Sequence, residues 1–249
     1  MKTLNQYIQE KLIINQRFDE KLIINKDYRD NTIVVKSFDE LRKIIEDRYD
    51  KLGPGTEQNP IDFNDIDVSN IDSFCNSKDE GIFQETKFKY IDISDWNVSN
   101  VTKMMSMFYK CEELKSVGDI SEWDVSNVTD MAYMFTRCEN LNQDISKWGV
   151  SSVTDMSYMF FDCKKFNQDI SKWNVSNVKD MSFMFQYCDS FNQDLSEWDV
   201  SKVTDMNGMF QGCKSFNKDI SKWNVSKVKN NILMFLKCPI KEEYKPKFK

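Results

Sequence analysis

The chain has 249 residues, 40 % apolar and 30 % charged, the composition of a folded protein, and no stretch approaches the ~18 consecutive apolar residues of a membrane-spanning helix. It contains no His, which removes the commonest general base and metal ligand. The net charge of −6 belongs to an acidic body, so nucleic acid and anionic membrane are not expected partners.

Residues 1–36 form a leader. Met1–Lys11 has no apolar h-region, so a standard secretory signal is not expected and the chain is placed in the cytoplasm of a host cell or in a virion. Glu10-Lys-Leu-Ile-Ile-Asn15 recurs as Glu20-Lys-Leu-Ile-Ile-Asn25, and Thr32-Ile-Val-Val-Lys36 is a third apolar run. These are short β-prone segments. They read as a strand-rich extension of the adjoining cap, or as a docking peptide that adds a strand to a partner.

Residues 37–95 read as an amino-terminal cap and a degenerate first repeat. Ser37-Phe-Asp-Glu40 is a capping box. It predicts a helix to about Leu52 with Phe38, Leu41, Ile44, Ile45 and Tyr49 on one face, stopped at Gly53-Pro54-Gly55. Phe63–Ile71 resembles part of a later unit without its Trp.

Residues 96–238 hold six repeats. Trp recurs at 96, 123, 148, 173, 198 and 223, spaced 27 and then four times 25 residues. Cys111, Cys138, Cys163, Cys188, Cys213 and Cys238 keep the same spacing, as do Met-Phe pairs from Met107-Phe108 to Met234-Phe235. One unit cannot close a core, but identical units laid side by side place like residues on like. The expected fold is an α/β repeat solenoid of leucine-rich-repeat-like coils with a helical amino-terminal cap. Each coil is expected to hold a short parallel strand (Asp169–Trp173), a corner (Val175–Val178) and a short helix (Met181–Cys188). That helix is expected from Met181, Met184, Phe185 and Cys188 at i, i+3, i+4 and i+7, with Asp180 as N-cap. Residues 239–249 are a basic tail, and Pro239 should end the last unit.

The run Trp-Asp-Val-Ser-Asn-Val-Thr-Asp-Met (123–131), Tyr-Met-Phe (133–135) and Cys138, repeated to Cys238, resembles the BspA-type leucine-rich repeat of bacterial surface proteins and mycoplasma lipoproteins. The resemblance implies a solenoid and, in surface members, adhesion or ligand binding. The opening Met1–Leu12 resembles leaders of gut bacteriophage proteins, which implies a phage-encoded member.

No catalytic, cofactor or metal site is expected. The Cys residues fall one per unit on the apolar face, without paired metal-ligand spacing, and read as buried reduced thiols. The Trp and Met-Phe columns keep phase with the core and read as packing. Asn142, Asn167, Asn192 and Asn217, followed by Asp144, Asp169, Asp194 and Asp219, form columns beside the corner serines. Calcium would need several oxygens and a glycine turn around one point, so these columns read as side chains satisfying each other and the backbone. Specificity is sought where units differ. One candidate is the charge column Glu122, Lys147, Lys172, Glu197 and Lys222, expected along the strand face. The others are Phe161 and Tyr187, as exposed aromatics of the kind favoured at interfaces. The expected function is non-enzymatic protein–protein interaction with an unidentified protein. The alternatives are a structural or packaged component of a phage particle, and a carbohydrate- or calcium-binding surface adhesin.

Overall fold

A computed structural model describes residues 32–77 and 80–248. The tandem Glu10–Asn15 and Glu20–Asn25 segments lie outside the described residues.

The first elements are set by local chemistry. Strand β1 (Ile33–Val34) precedes helix α1 (Phe38–Leu52). Ser37 Oγ accepts the Glu40 N–H at 3.2 Å, and the Glu40 carboxylate accepts the Lys36 N–H at 2.7 Å. The helix ends at Gly53, whose φ of +74° suits glycine and whose N–H donates to the Tyr49 carbonyl. Phe38, Leu41 and Ile45 are buried, and Ile44 and Tyr49 pack against the same core.

Beyond the helix come short strands at β2 (Ile61–Asp62), β3 (Ile66–Asp67), β4 (Cys75–Ser77), β5 (Glu80–Gly81) and β6 (Ile91–Asp92). β1 pairs parallel with β3, β2 pairs parallel with β6, and β4 pairs antiparallel with β5. From there to Asn230 successive units are joined by single parallel bridges, from Lys103 through Asp130, Asp155, Asp180 and Asp205 to Asn230.

The interior of a unit differs from the strand and helix expected there. Met181–Cys188 is a run of tight turns. The N–H groups of Met184, Gln186 and Cys188 donate three residues back, to Met181, Phe183 and Phe185. The alternate N–H groups of Met181, Phe183, Phe185 and Tyr187 donate to Asp205, Asn207, Met209 and Gln211 of the next unit at 2.8–3.0 Å. Phe183 and Tyr187 have φ of 58° and 61°, so the backbone rewinds every fourth residue. An α-helix would tie these N–H groups within the segment. Here half of them join one unit to the next. The i, i+3, i+4, i+7 spacing satisfies both backbones, because turns repeating every four residues also bring those positions to one side.

Asp169–Trp173 is likewise a turn and not a strand. The Asp169 carboxylate accepts the Ser171 N–H at 3.0 Å, and the Trp173 N–H donates to the Ile170 carbonyl at 3.1 Å. A side-chain acceptor two residues away takes a donor that a ladder would need. The corner at Val175–Val178 closes as expected, with the Val178 N–H donating to the Val175 carbonyl at 2.9 Å.

The core is a set of columns running through the units. Phe108, Phe135, Phe160, Phe185, Phe210 and Phe235 stack at centroid separations of 5.5–6.0 Å and within 9° of parallel. Phe166, Phe191 and Phe216 make a second column at 5.9 and 6.0 Å. The Trp rings are buried, and those of Trp148, Trp173, Trp198 and Trp223 donate Nε1–H to the carbonyls of Ile120, Ile145, Ile170 and Leu195 in the preceding unit. Trp123 closes the 27-residue unit, and its buried Nε1 has no partner among the described residues.

Candidate interaction surface

The tight turns place two residues of each unit in the left-handed region, and these positions form two columns through the units. The first holds Ser106, Tyr133, Tyr158, Phe183, Gly208 and Leu233, and the second Lys110, Arg137, Asp162, Tyr187, Gly212 and Lys237. Where the first column is aromatic it forms a ladder. Tyr133 stacks on Tyr158 at 4.6 Å and 8°, and Tyr158 on Phe183 at 4.6 Å and 26°. Tyr109 meets Tyr133 edge-on at 6.3 Å.

Phe161 and Tyr187 join this ladder. Phe161 lies 5.6 Å from Tyr158, and Tyr187 meets Phe161 edge to face at 5.8 Å. With Tyr109, Tyr133, Thr136 and Tyr158 they line a groove of about 460 Å³. Its polar rim is Lys110, Arg137 and Asp162. Arg137 lies between Glu112 and Asp162, at 3.5 and 3.8 Å. Burial pushes the Asp162 carboxyl above its ordinary value and the Tyr133 phenol up to about 12, so the Tyr133 hydroxyl stays a protonated donor. Two glycines in the next unit make room for the last rings of the ladder. A Cβ on Gly208 would lie 2.6 Å from the Phe183 ring, and Gly212 likewise leaves room for Tyr187. The last rings of the ladder therefore rest on bare backbone.

The charge column does not reach this groove. Glu122, Lys147, Lys172, Glu197 and Lys222 are all exposed, but they sit in the turns that replace the expected strand, so no sheet face carries them. Lys147 pairs with Glu122. Glu197 and Lys222 line a separate groove with Asp194, Ser196, Lys218 and Asp219. Tyr109, Tyr133, Tyr158 and Phe183 escape a reading of the sequence that seeks positions breaking the repeat. Their signal is the aromatic residue just before each Met-Phe pair at 133, 158 and 183. It keeps the 25-residue register yet falls outside the buried pattern.

The other repeated polar residues are held locally. Asn142, Asn167 and Asn192 each accept, through Oδ1, the N–H of the corresponding Asn one unit on, at 2.9–3.1 Å. Asp144, Asp169, Asp194 and Asp219 each accept the N–H of the Ser two residues on. These bonds hold the carboxyls of Asp144, Asp169 and Asp219 below their ordinary value. The thiols of Cys138, Cys163, Cys188 and Cys213 donate to the carbonyls of Phe108, Phe135, Phe160 and Phe185 at 2.8–3.1 Å. Burial pushes the Cys111 thiol up to about 12 and those of the next four units up as well. These are inert structural donors, unlike the exposed low-pKa thiolates of reactive sites. No group of acidic, Cys or His side chains suited to a metal occurs among the described residues, and no described helix is long and apolar enough to cross a membrane.

Residues 77–186 and 167–240 match the family model described as Mycoplasma protein of unknown function, DUF285. No curated protein and no solved structure matches the chain. The two matched segments together span well over half of the sequence, and the chain belongs to this family.

Proposed function

We propose that this protein is a non-enzymatic protein-binding module built on a repeat solenoid, and that it binds through the aromatic groove. The observation that carries the reading is the ladder of Tyr133, Tyr158 and Phe183 with Phe161 and Tyr187 along one side of successive units. Aromatic side chains that keep partial exposure are enriched at protein interfaces. Tyr187 alone is 40 % exposed.

The stacking favours a peptide over a sugar as the occupant. A sugar docks on a free ring face, and here the faces of Tyr133, Tyr158 and Phe183 lie against each other at 4.6 Å. What they present is ring edges, hydroxyls and a charged rim, which suits a peptide backbone with apolar side chains. The local use of the repeated carboxylates, together with a sequence without His, supports a role in binding and not in catalysis.

Panning the full chain against a random peptide library tests this. Enriched peptides should bind Tyr158→Ser and Tyr187→Ala variants at least about tenfold more weakly, the effect of losing ~1.4 kcal/mol. They should bind a Glu122→Gln, Lys172→Gln variant as well as the parent. Peptides that ignore the groove substitutions would remove the groove as the site.

A further inference from the structure

The two ends of the stack are finished differently. Each unit donates alternate N–H groups forward, so the first unit has spare carbonyls and the last has spare N–H groups. The spare carbonyls are taken. The Arg42 guanidinium donates to Gly81 and Ile82 at 2.9 and 3.0 Å and reaches Gln84 at 3.4 Å. Arg48 donates to the Asp62 carbonyl, and β1 donates to Asp65 and Asp67 at 2.8 and 3.2 Å.

The far end is covered only in part, by the tail: Lys245 lies over the Phe235 ring at 5.6 Å, and Tyr244 and Phe248 pack against the core. In the preceding unit Met206, Gly208, Phe210 and Gly212 donate forward to Asn230, Ile232, Met234 and Leu236. Their counterparts in the last unit are the N–H groups of Asn231, Leu233, Phe235 and Lys237. None of these has an acceptor among the described residues. Pro239 turns the chain aside. The tail returns along another side, where the Tyr244 carbonyl accepts the Ile220 N–H at 3.0 Å.

Polarity at this edge is reversed. A terminal repeat that ends a stack is expected to be polar on its outer side. Here Asn231 stands where other units bury Met, and Ile232 stands where the four preceding units carry Ala, Ser or Asn. Ile232, Leu233 and Leu236 are 65, 49 and 44 % exposed. Lys227, Lys229 and Lys237 make the same unit basic in a chain whose net charge is −6.

We infer that this edge is a second binding site, separate from the groove, which takes an acidic–apolar segment of a partner protein that lies parallel to the last unit and adopts the same run of tight turns. The hydrogen-bonding pattern selects the occupant. Two copies cannot join end to end here, because edge against edge sets donor against donor. Edge against the other end would need carbonyls that Arg42, Arg48 and β1 already hold. The occupant must therefore bring free carbonyls at every second residue, apolar side chains for Ile232, Leu233 and Leu236, and negative charge for the lysines.

The test uses the full chain and a labelled nine-residue peptide of aspartate and leucine with glycine at every fourth residue, where the run of turns requires positive φ. Fluorescence anisotropy should show saturable binding that Leu233→Asp weakens at least about tenfold, as loss of one buried leucine contact implies. Asn231→Pro, which removes one donor, should weaken it about fivefold. Tyr187→Ala in the groove should leave it unchanged, so failure of the groove does not decide this site. Amide exchange should show the N–H groups of Asn231, Leu233, Phe235 and Lys237 fast in the free chain and slowed by the peptide. Equal binding of a peptide with lysine in place of aspartate would overturn the proposal. So would protection of those four N–H groups before peptide is added, because the chain itself or a second copy would then fill the edge.

Discussion

Each Trp contributes buried area and, in most units, one hydrogen bond, and substitution separates the two. Trp173→Ala should cost about 3–5 kcal/mol, as for other emptied aromatic sites. Trp173→Phe keeps most of the packing but removes the Nε1–H that donates to the Ile145 carbonyl at 3.1 Å, leaving that carbonyl with the Trp148 N–H at 3.2 Å. Trp123 has no such partner. Trp173→Phe should therefore be more destabilising than Trp123→Phe by about 1 kcal/mol in urea titrations, and equal costs would show that the Nε1 bonds contribute nothing. Asp180 offers a second separation. Burial pushes its carboxyl above the ordinary 3.8, and Asp155 and Asp205 in the adjoining units push the same way. A raised carboxyl pKa means the folded state binds the proton more tightly, so the charged column opposes folding above that pKa. The opposition fades as pH falls toward 3.8. At the same position in the last unit, Asn230 bonds the Ile232 N–H through Oδ1 and the Asp205 carboxylate through Nδ2, at 3.4 and 3.1 Å. Asp180→Asn should accordingly raise the melting temperature at about pH 7, with the gain shrinking by about pH 4. A lower melting temperature near neutrality would show that the carboxylate is needed for its bond to Ser182.

At the scale of elements, α1 does more than cover apolar surface. Arg42 supplies the donors that the first unit lacks. Arg42→Met should cost about 2–3 kcal/mol by leaving the Ile82 and Gln84 carbonyls without a partner and the Gly81 carbonyl with the Gln84 N–H alone, and Arg42→Lys should recover part of it. Stability within about 0.5 kcal/mol of the parent for Arg42→Met would mean that water serves those carbonyls as well. The run from Met181 to Cys188 predicts a spectroscopic result. Its turns contribute little helical signal, so in far-UV circular dichroism the repeats should add little helical signal to that of the 15 residues of α1. A helical segment in every repeat would give several times more. The sequence made α1 legible through Ser37, Glu40 and Gly53, because its hydrogen bonds are local. It made Met181–Cys188 look helical because apolar spacing reports which side chains are buried, whatever the backbone between them.

For the whole molecule, stability is a matter of neighbours. Phe185 is fully buried between Phe160 and Phe210, at 5.6 Å from each. Phe235 stacks on Phe210 on one side and stays partly exposed. Phe185→Ala should cost about 3–5 kcal/mol and Phe235→Ala about half of that, and amide exchange should quicken from the central units toward the last. Equal costs at the two positions would argue against a stack held by nearest-neighbour contacts.

Phe161 and Tyr187 were legible as surface aromatics because they vary between units that otherwise repeat. Their assembly with Tyr133 and Tyr158 was not, because it depends on left-handed turn positions that bring successive units' rings together. By itself the sequence determined the 25-residue period, the buried Trp, Met, Phe and Cys columns and the helix after Ser37. Burial is written in apolar spacing, and a helix cap in a few adjacent residues. Only the tertiary structure decided that the units are made of turns, that the charge column lies away from the aromatic groove, and that Arg42 seals one end while four N–H groups at the other have no acceptor among the described residues. Each depends on where a backbone N–H finds its acceptor, and here half of those acceptors lie some 24 residues away.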